Sequence, residues 1–300
     1  MKLSKEVMDI RTNWAIGDAK RDEGLTTPDD IVRYDDISYG EFGKENLMDI
    51  YHLKGVDKKQ ATIFNIHGGA WVYGCKEIYQ FYCMSLAQRG FTVVNINYRL
   101  APESHFPSPI EDVNNALWYL TQNGDKYNVD IENMILVGDS AGAQLTSHYA
   151  AIFTNPEFAK CYDLELPPVK IKALGLNCGI YDARELATVG LRGTFIEYLG
   201  YENGTKLTDN EEELLDKIDI MKHMTSSFPP SFVMTAANDF LHYCAKPMYE
   251  KLLSLGVDAK MKEYGRKEQE EVAHVFHINI KLPEATACND DECEFFKEYV

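Results

Sequence analysis

Residues Met134 to Phe153 read Met-Ile-Leu-Val-Gly-Asp-Ser-Ala-Gly-Ala-Gln-Leu-Thr-Ser-His-Tyr-Ala-Ala-Ile-Phe. An apolar run of strand length, Met134 to Val137, meets Gly138-Asp139-Ser140-Ala141-Gly142, after which Leu145, Tyr149, Ile152 and Phe153 recur at helical spacing. That pattern spells strand, sharp turn, helix. So tight a turn forces a strained backbone on Ser140 and excludes bulk beside it, conditions that Gly138, Ala141 and Gly142 satisfy. The Ser140 hydroxyl is then expected above a sheet edge, at the amino end of a helix, where a nucleophile would stand. Gly-x-Ser-x-Gly alone is a short pattern that chance supplies often; the strand before it and the helix after it give it weight.

The rest of the chain repeats the same alternation. Ala61 to Ile66 and Phe91 to Ile96 are nearly continuous apolar runs, as expected of strands buried on both faces, with a helical segment from about Lys76 to Arg89 between them. Ser108 to Gln122 carries Ile110, Val113, Ala116, Leu117 and Leu120 at helical spacing. Ile171 to Asn177 and Ser231 to Ala236 repeat the strand signature, Tyr243 to Leu255 reads as a helix stopped by Gly256, and Asp258 to Tyr264 as a last strand. Asp29 to Tyr39 and Leu47 to Leu53 alternate apolar and polar around a Gly-rich turn, which predicts an antiparallel pair ahead of the parallel strands. The expected class is α/β, a mostly parallel central sheet flanked by helices.

Two segments stand apart. Leu3 to about Ala19 places Leu3, Val7, Ile10, Trp14 and Ala15 at helical spacing, predicting an amphipathic helix that packs or acts as a lid. Residues 183–228 form a polar, helix-rich insert, with Phe195 to Leu199 and the run Asp209-Asn210-Glu211-Glu212-Glu213, that interrupts the sheet. An excursion of that length is expected to cover a binding site. The organisation expected is one domain over residues 1–300, capped by residues 1–30 and 183–228.

Charge and cysteine content bound the function. A formal charge of −17 repels phosphates and anionic lipid, so neither a nucleic-acid nor a membrane partner is expected. Seven scattered cysteines show no Cys-x-x-Cys pair and no zinc-site spacing, and they are expected to be reduced and mostly buried, with no metal and no cofactor. No apolar leader precedes the first acidic residues, and no stretch reaches membrane-spanning length, so a cytoplasmic location is the expectation. A homodimer is left open.

A serine hydroxyl is a weak nucleophile at neutral pH and needs a base, which in turn needs a carboxylate to fix its tautomer. When serine stands on a strand-to-helix turn of this kind, the acid and then the histidine follow it along the chain. His274 and His277 lie in the loop after the final strand; His274 is taken as the base and His277 as second choice. His242 reads as a loop or pocket residue. For the acid, Asp239 stands just beyond the Ser231 to Ala236 strand, with Asp182, beyond the Ile171 to Asn177 strand, as its rival. In His67-Gly68-Gly69-Ala70-Trp71, glycines let main-chain N–H groups turn toward the oxygen that becomes negative during attack. The oxyanion-hole candidates are Gly68, Gly69, Ala70 and Ala141, with His67 expected to brace the loop. Trp71, Tyr73, Phe195, Phe240 and Leu241 are candidates for the substrate pocket.

The set His67-Gly68-Gly69-Ala70-Trp71, Tyr98-Arg99-Leu100-Ala101-Pro102-Glu103, Phe106-Pro107, Asp112 and Gly138-Asp139-Ser140-Ala141-Gly142 resembles the α/β-hydrolase superfamily, in its hormone-sensitive-lipase-like branch of bacterial esterases and carboxylesterases. The resemblance spans roughly Ala61 to His277. It implies the α/β-hydrolase fold with a helical cap, and hydrolysis of short-chain carboxylic esters by a Ser140, Asp239, His274 trio without a metal. One departure is Ala70 in place of a third glycine, followed by Trp71; that form is also similar to feruloyl-esterase-like and kynurenine-formamidase-like relatives, and it leaves ester against amide open. An amidase or peptidase with the same trio, or a binding protein on a hydrolase scaffold, are the competing readings.

Overall fold

The computed structural model describes residues 3–56, 58–182, 192–200 and 211–300. Strands β1 (Ile31–Ser38), β2 (Leu47–Leu53), β3 (Gln60–Ile66), β4 (Thr92–Ile96), β5 (Val129–Asp139), β6 (Ile171–Asn177), β7 (Ser231–Ala236) and β8 (Ala259–Tyr264) form one eight-stranded sheet in the order β1-β2-β4-β3-β5-β6-β7-β8. β1 and β2 are antiparallel to their neighbours, and every pairing from β4 to β8 is parallel. The antiparallel start and the parallel body are those the residue patterns predict.

The apolar runs are continuous because both faces of the sheet are covered. In β5, Met134 and Leu136 enter one hydrophobic cluster while Ile135 and Val137 enter the other, and β3 divides Phe64 and Ile66 from Ile63 in the same way. On the first face lie α3 (Ser108–Asn123) and α4 (Ala141–Thr154), through Ile110, Leu117, Leu145 and Tyr149. On the second lie α2 (Lys76–Ala87), through Tyr82 and Leu86, and a carboxy-terminal helix over Pro283–Lys297, through Ala285, Cys288 and Phe296. Each large side chain buried this way contributes roughly 1.5–3 kcal/mol, which fixes the sheet whose upper edge carries the site.

The amino-terminal helix α1 (Lys5–Asp22) is present, but its amphipathic reading needs correcting: Val7 is its one fully buried residue, while Trp14 keeps 39% of its surface exposed. Ionic clamps hold it instead. The Arg11 guanidinium binds the Glu103 carboxylate through two 2.7 Å bonds and the Val72 and Ala101 carbonyls at 2.8 and 2.9 Å. Arg21 bonds Asp18 and Asp22, each at 2.7 Å, and the Ile78 carbonyl at 2.5 Å. Within the expected insert, residues 183–191 and 201–210, including Asp209 and Asn210 of the acidic run, lie outside the described residues; short helices occur over Arg192–Tyr198, Glu211–Ile218 and Ile220–His223. No two cysteines form a disulfide, and five of the seven are buried.

Candidate active site

Ser140 occupies the turn between β5 and α4 with φ 52° and ψ −119°, a backbone state that L residues avoid and that marks functional strain. The turn closes because its neighbours are small. A Cβ on Gly142 would stand 2.0 Å from the Ile66 carbonyl oxygen, and one on Gly138 would stand 2.3 Å from that of Gly142. The Ser140 N–H donates to the Asn177 carbonyl at 2.9 Å, which ties the turn to the end of β6 and leaves the hydroxyl facing outward.

Asp239 and His274 reach Ser140 from two loops that hold each other. Asn238, next to Asp239, forms a parallel bridge with Ala273 and donates from its side chain to the carbonyls of Gln269 and Arg266 at 2.8 and 3.1 Å. The loop after β8 is thereby drawn over the sheet edge. His274 Nε2 lies 2.9 Å from Ser140 Oγ, and His274 Nδ1 lies 2.7 Å from Asp239 Oδ1. Asp239 also accepts from the Leu241 N–H at 2.9 Å and the Thr235 hydroxyl at 3.1 Å. Burial pushes its pKa up, but the imidazole of His274, the Leu241 N–H and the Cys178 thiol outweigh burial, so the carboxyl lies below its ordinary range and stays ionised. An ionised Asp239 orients the ring with its proton on Nδ1, leaving Nε2 free to accept the serine proton.

The other histidines are occupied elsewhere. His277 is buried three residues away with its ring edge-on to Tyr82 at 5.1 Å, and burial lowers its pKa to about 3. It is a core imidazole and does not face Ser140. His242 pairs with Glu263 at 2.8 Å on the surface. His67 stacks on Tyr98 at 4.2 Å and braces its loop through Nδ1 to the Gly68 carbonyl at 2.7 Å; burial lowers its pKa to about 4.

Two groups of expected residues need correction. The Gly68 N–H does not face the site: it lies 3.0 Å from Asp139 Oδ1 and 3.0 Å from the Tyr79 hydroxyl oxygen, so it is no oxyanion donor. Gly69 and Ala70 turn the main chain at φ 118° and 51°, and Ala141 opens α4. Of the pocket candidates, Tyr73 and Phe240 line the cavity over Ser140, whereas Trp71, Phe195 and Leu241 do not. Trp71 is fully buried, stacked on Tyr198 at 5.1 Å with its Nε1–H on Gln144 at 3.1 Å; Phe195 packs on it at 5.6 Å, and Leu241 is buried in the same core. A bulky side chain after a glycine loop is as well suited to filling the core as to lining a pocket.

The cavity has a volume of about 320 Å³ and is bounded by Trp14, Tyr73, Tyr79, Phe240, Ile278 and the Ser140–His274 pair, with Asp139 at its floor. Asp139 is the functional-site residue that motif reasoning passed over. Burial raises its pKa from 3.8 to about 6, against the stabilising hydrogen bonds from Tyr79 and Gly68 and the charge of His274. Its place inside Gly-Asp-Ser was the available signal, but its partners are 60 and 71 residues away.

Among the described residues, Cys178, Asp239 and His274 form the one group with metal-ligand chemistry, their ligand atoms within 4.8 Å of one another. Asp239 Oδ1 and His274 Nδ1 sit at 2.7 Å, the separation of a shared proton and too close for two bonds of about 2 Å to a tetrahedral ion. Burial also holds the Cys178 thiol far above its ordinary pKa, hence protonated.

The sheet order, the left-handed serine between β5 and α4 and the loop-borne carboxylate and imidazole define an α/β-hydrolase fold. Residues 48–246 match the BD-FAE family, and the chain belongs to it. The chain is 31% identical over 217 residues to LipM, a probable carboxylic ester hydrolase of Mycobacterium tuberculosis, covering 71% of this chain and 49% of that one. It is 27% identical over 208 residues to the esterase LipC of the same organism, covering 68% and 50%. The chain thus spans about half the length of these curated relatives. Esterase B from Lactobacillus rhamnosis, in an inhibited form, superposes with a TM-score of 0.86 at 21% identity over 98% of this chain and 95% of that one. An esterase from Pyrobaculum calidifontis does so at 0.75 and 20%, over 99% and 94%.

Proposed function

We propose that this chain is a serine carboxylesterase that hydrolyses small carboxylic esters through an acyl-enzyme on Ser140. The observation that carries the reading is the double contact of His274, 2.9 Å to Ser140 Oγ and 2.7 Å to Asp239 Oδ1, at the floor of a cavity of ligand size. Ser140 Oγ attacks the ester carbonyl while His274 Nε2 takes its proton, and Asp239 stabilises the resulting imidazolium. The N–H groups of Gly69, Ala70 and Ala141 receive the negative oxygen; one such donor is worth ~2.7–4 kcal/mol in the transition state. His274 then protonates the departing alcohol, and water repeats the sequence to free the acid.

The names of the relatives support an ester substrate over an amide. The substrate is a small molecule, the reading requires neither metal nor cofactor, and a cytoplasmic location is part of the proposal. Among the described residues no helix is long and apolar enough to cross a membrane. The test is hydrolysis of a chromogenic short-chain ester beside the matching amide. Ester turnover that Ser140→Ala removes is expected; turnover of the amide alone would favour an amidase, and a folded chain that turns over neither would favour a binding protein.

A further inference from the structure

One wall of the cavity over Ser140 comes from α1: Asn13, Trp14, Gly17 and Asp18 all face it. The wall is rigid. Arg11 near the middle of the helix and Arg21 at its carboxy-terminal end bond to carbonyls outside it, Asp18 accepts from the Tyr73 hydroxyl at 2.6 Å, and Trp14 meets the Tyr73 ring edge-on at 5.8 Å.

Gly17 is the anomaly in this wall. Glycine is the weakest helix former after proline, and in a helix interior it is ordinarily kept where another backbone comes too close for a side chain. At Gly17 nothing comes close: a Cβ there would meet no atom within 4 Å, against 2.0 Å at Gly142. Gly17 is exposed at the rim of the cavity it helps to line, so the space beside it is open to both the cavity and the solvent.

We infer that Gly17 is a specificity-determining residue, its missing side chain keeping open the α1 side of the cavity for an extended apolar or aromatic substituent of the ester. This rests on the carboxylesterase reading and narrows it to esters with a substituent that reaches from Ser140 toward Trp14 and Tyr73. Aromatic faces and Ile78 line that path, and among the described residues the cavity walls carry Asp18 and Asp139 but no Lys or Arg, which favours an uncharged or cationic substituent over a carboxylate.

The experiment measures kcat/KM for parent, Gly17→Leu and Ile16→Ala on two series: p-nitrophenyl esters from acetate to octanoate, and acetate esters of methyl to octyl and benzyl alcohols. Ile16 is 65% exposed and outside the cavity, so its variant is the control. A methylene excluded from an apolar pocket discriminates by about 10–200-fold. In Gly17→Leu the ratio of longest to shortest substrate is expected to fall at least five-fold in one series, with the shortest ester turned over as in the parent. A smaller change in both series, a loss shared equally by short and long esters, or the same shift in Ile16→Ala overturns the inference. A folded parent inactive on every ester overturns the functional reading first, and the inference with it.

Discussion

The main-chain N–H of Gly68 points at the carboxylate of Asp139, 3.0 Å away, and the Tyr79 hydroxyl donates to the other oxygen of that carboxylate at 2.7 Å. Asp139 therefore anchors the glycine loop to the serine turn and occupies the Gly68 N–H, so the proposed oxyanion hole draws on Gly69 and Ala70 in this loop.

This anchor has a pH signature. The folded-state pKa of Asp139 is raised from 3.8 to about 6, so the folded chain holds the proton more tightly than the unfolded one. As pH rises from about 4 to 7 the unfolded state releases that proton first, and stability falls; above about pH 7 the loss is constant at about 3 kcal/mol. Asp139→Asn keeps an acceptor for Gly68 and has no charge to bury. The stability of the parent relative to this variant, read from urea midpoints between pH 4 and 7, is expected to fall by about that amount, and a flat difference would refute the assignment.

His274 and His277 differ by three residues and should differ in kind. His274→Ala is expected to lower kcat by about 10⁴-fold or more with little effect on folding. Removing the buried His277 ring opens a cavity against Tyr82, so His277→Ala should cost about 2–4 kcal/mol of stability while the surviving folded fraction keeps kcat within about ten-fold. Steady-state kinetics and denaturant titration on both variants separate the roles.

At Gly142 the constraint is steric. A methyl group would meet the carbonyls of both Ile66 and His67, neither of which can move without unseating β3. Gly142→Ala is expected to destabilise the chain by about 3 kcal/mol or more and to abolish ester turnover; a stable, active variant would mean that the serine turn is looser than described.

A different kind of support lies below the site, where Arg99 Nε donates to Asp112 at 2.9 Å and the Arg99 main-chain N–H donates to the same carboxylate at 2.8 Å. Asp112 is fully buried, and Asp112→Ala leaves the Arg99 guanidinium to Glu111 and the Ser108 carbonyl while its main-chain N–H loses its acceptor, which should cost about 1.5–3 kcal/mol in thermal or chemical unfolding.

The sheet was legible because both its faces are covered, which makes β3, β4 and β5 read as unbroken apolar runs, and because Ser140 needs small neighbours that a sequence displays openly. The helix over Pro283–Lys297 was not legible. Its buried face includes Asn289 and Glu292, with Glu292 bonded to Asn177 at 2.9 Å, so the apolar repeat is broken where the helix packs. The choice between His274 and His277 depended on which ring the Asn238–Ala273 bridge carries over the sheet edge, a relation between two loops that local spacing does not record. The occupation of Gly68 likewise depends on Asp139, far along the chain. Trp71 is large and follows the glycine loop, and Phe195 is large and falls in the expected cap; size alone does not tell a pocket wall from a core.

The most direct test of the central claim is reaction of the purified chain with a p-nitrophenyl alkylphosphonate, followed by peptide mapping. The account predicts a single adduct on Ser140, formed at a rate that His274→Ala depresses strongly while His277→Ala leaves it nearly unchanged. An adduct on another residue, or labelling of Ser140 that does not depend on His274, would contradict it.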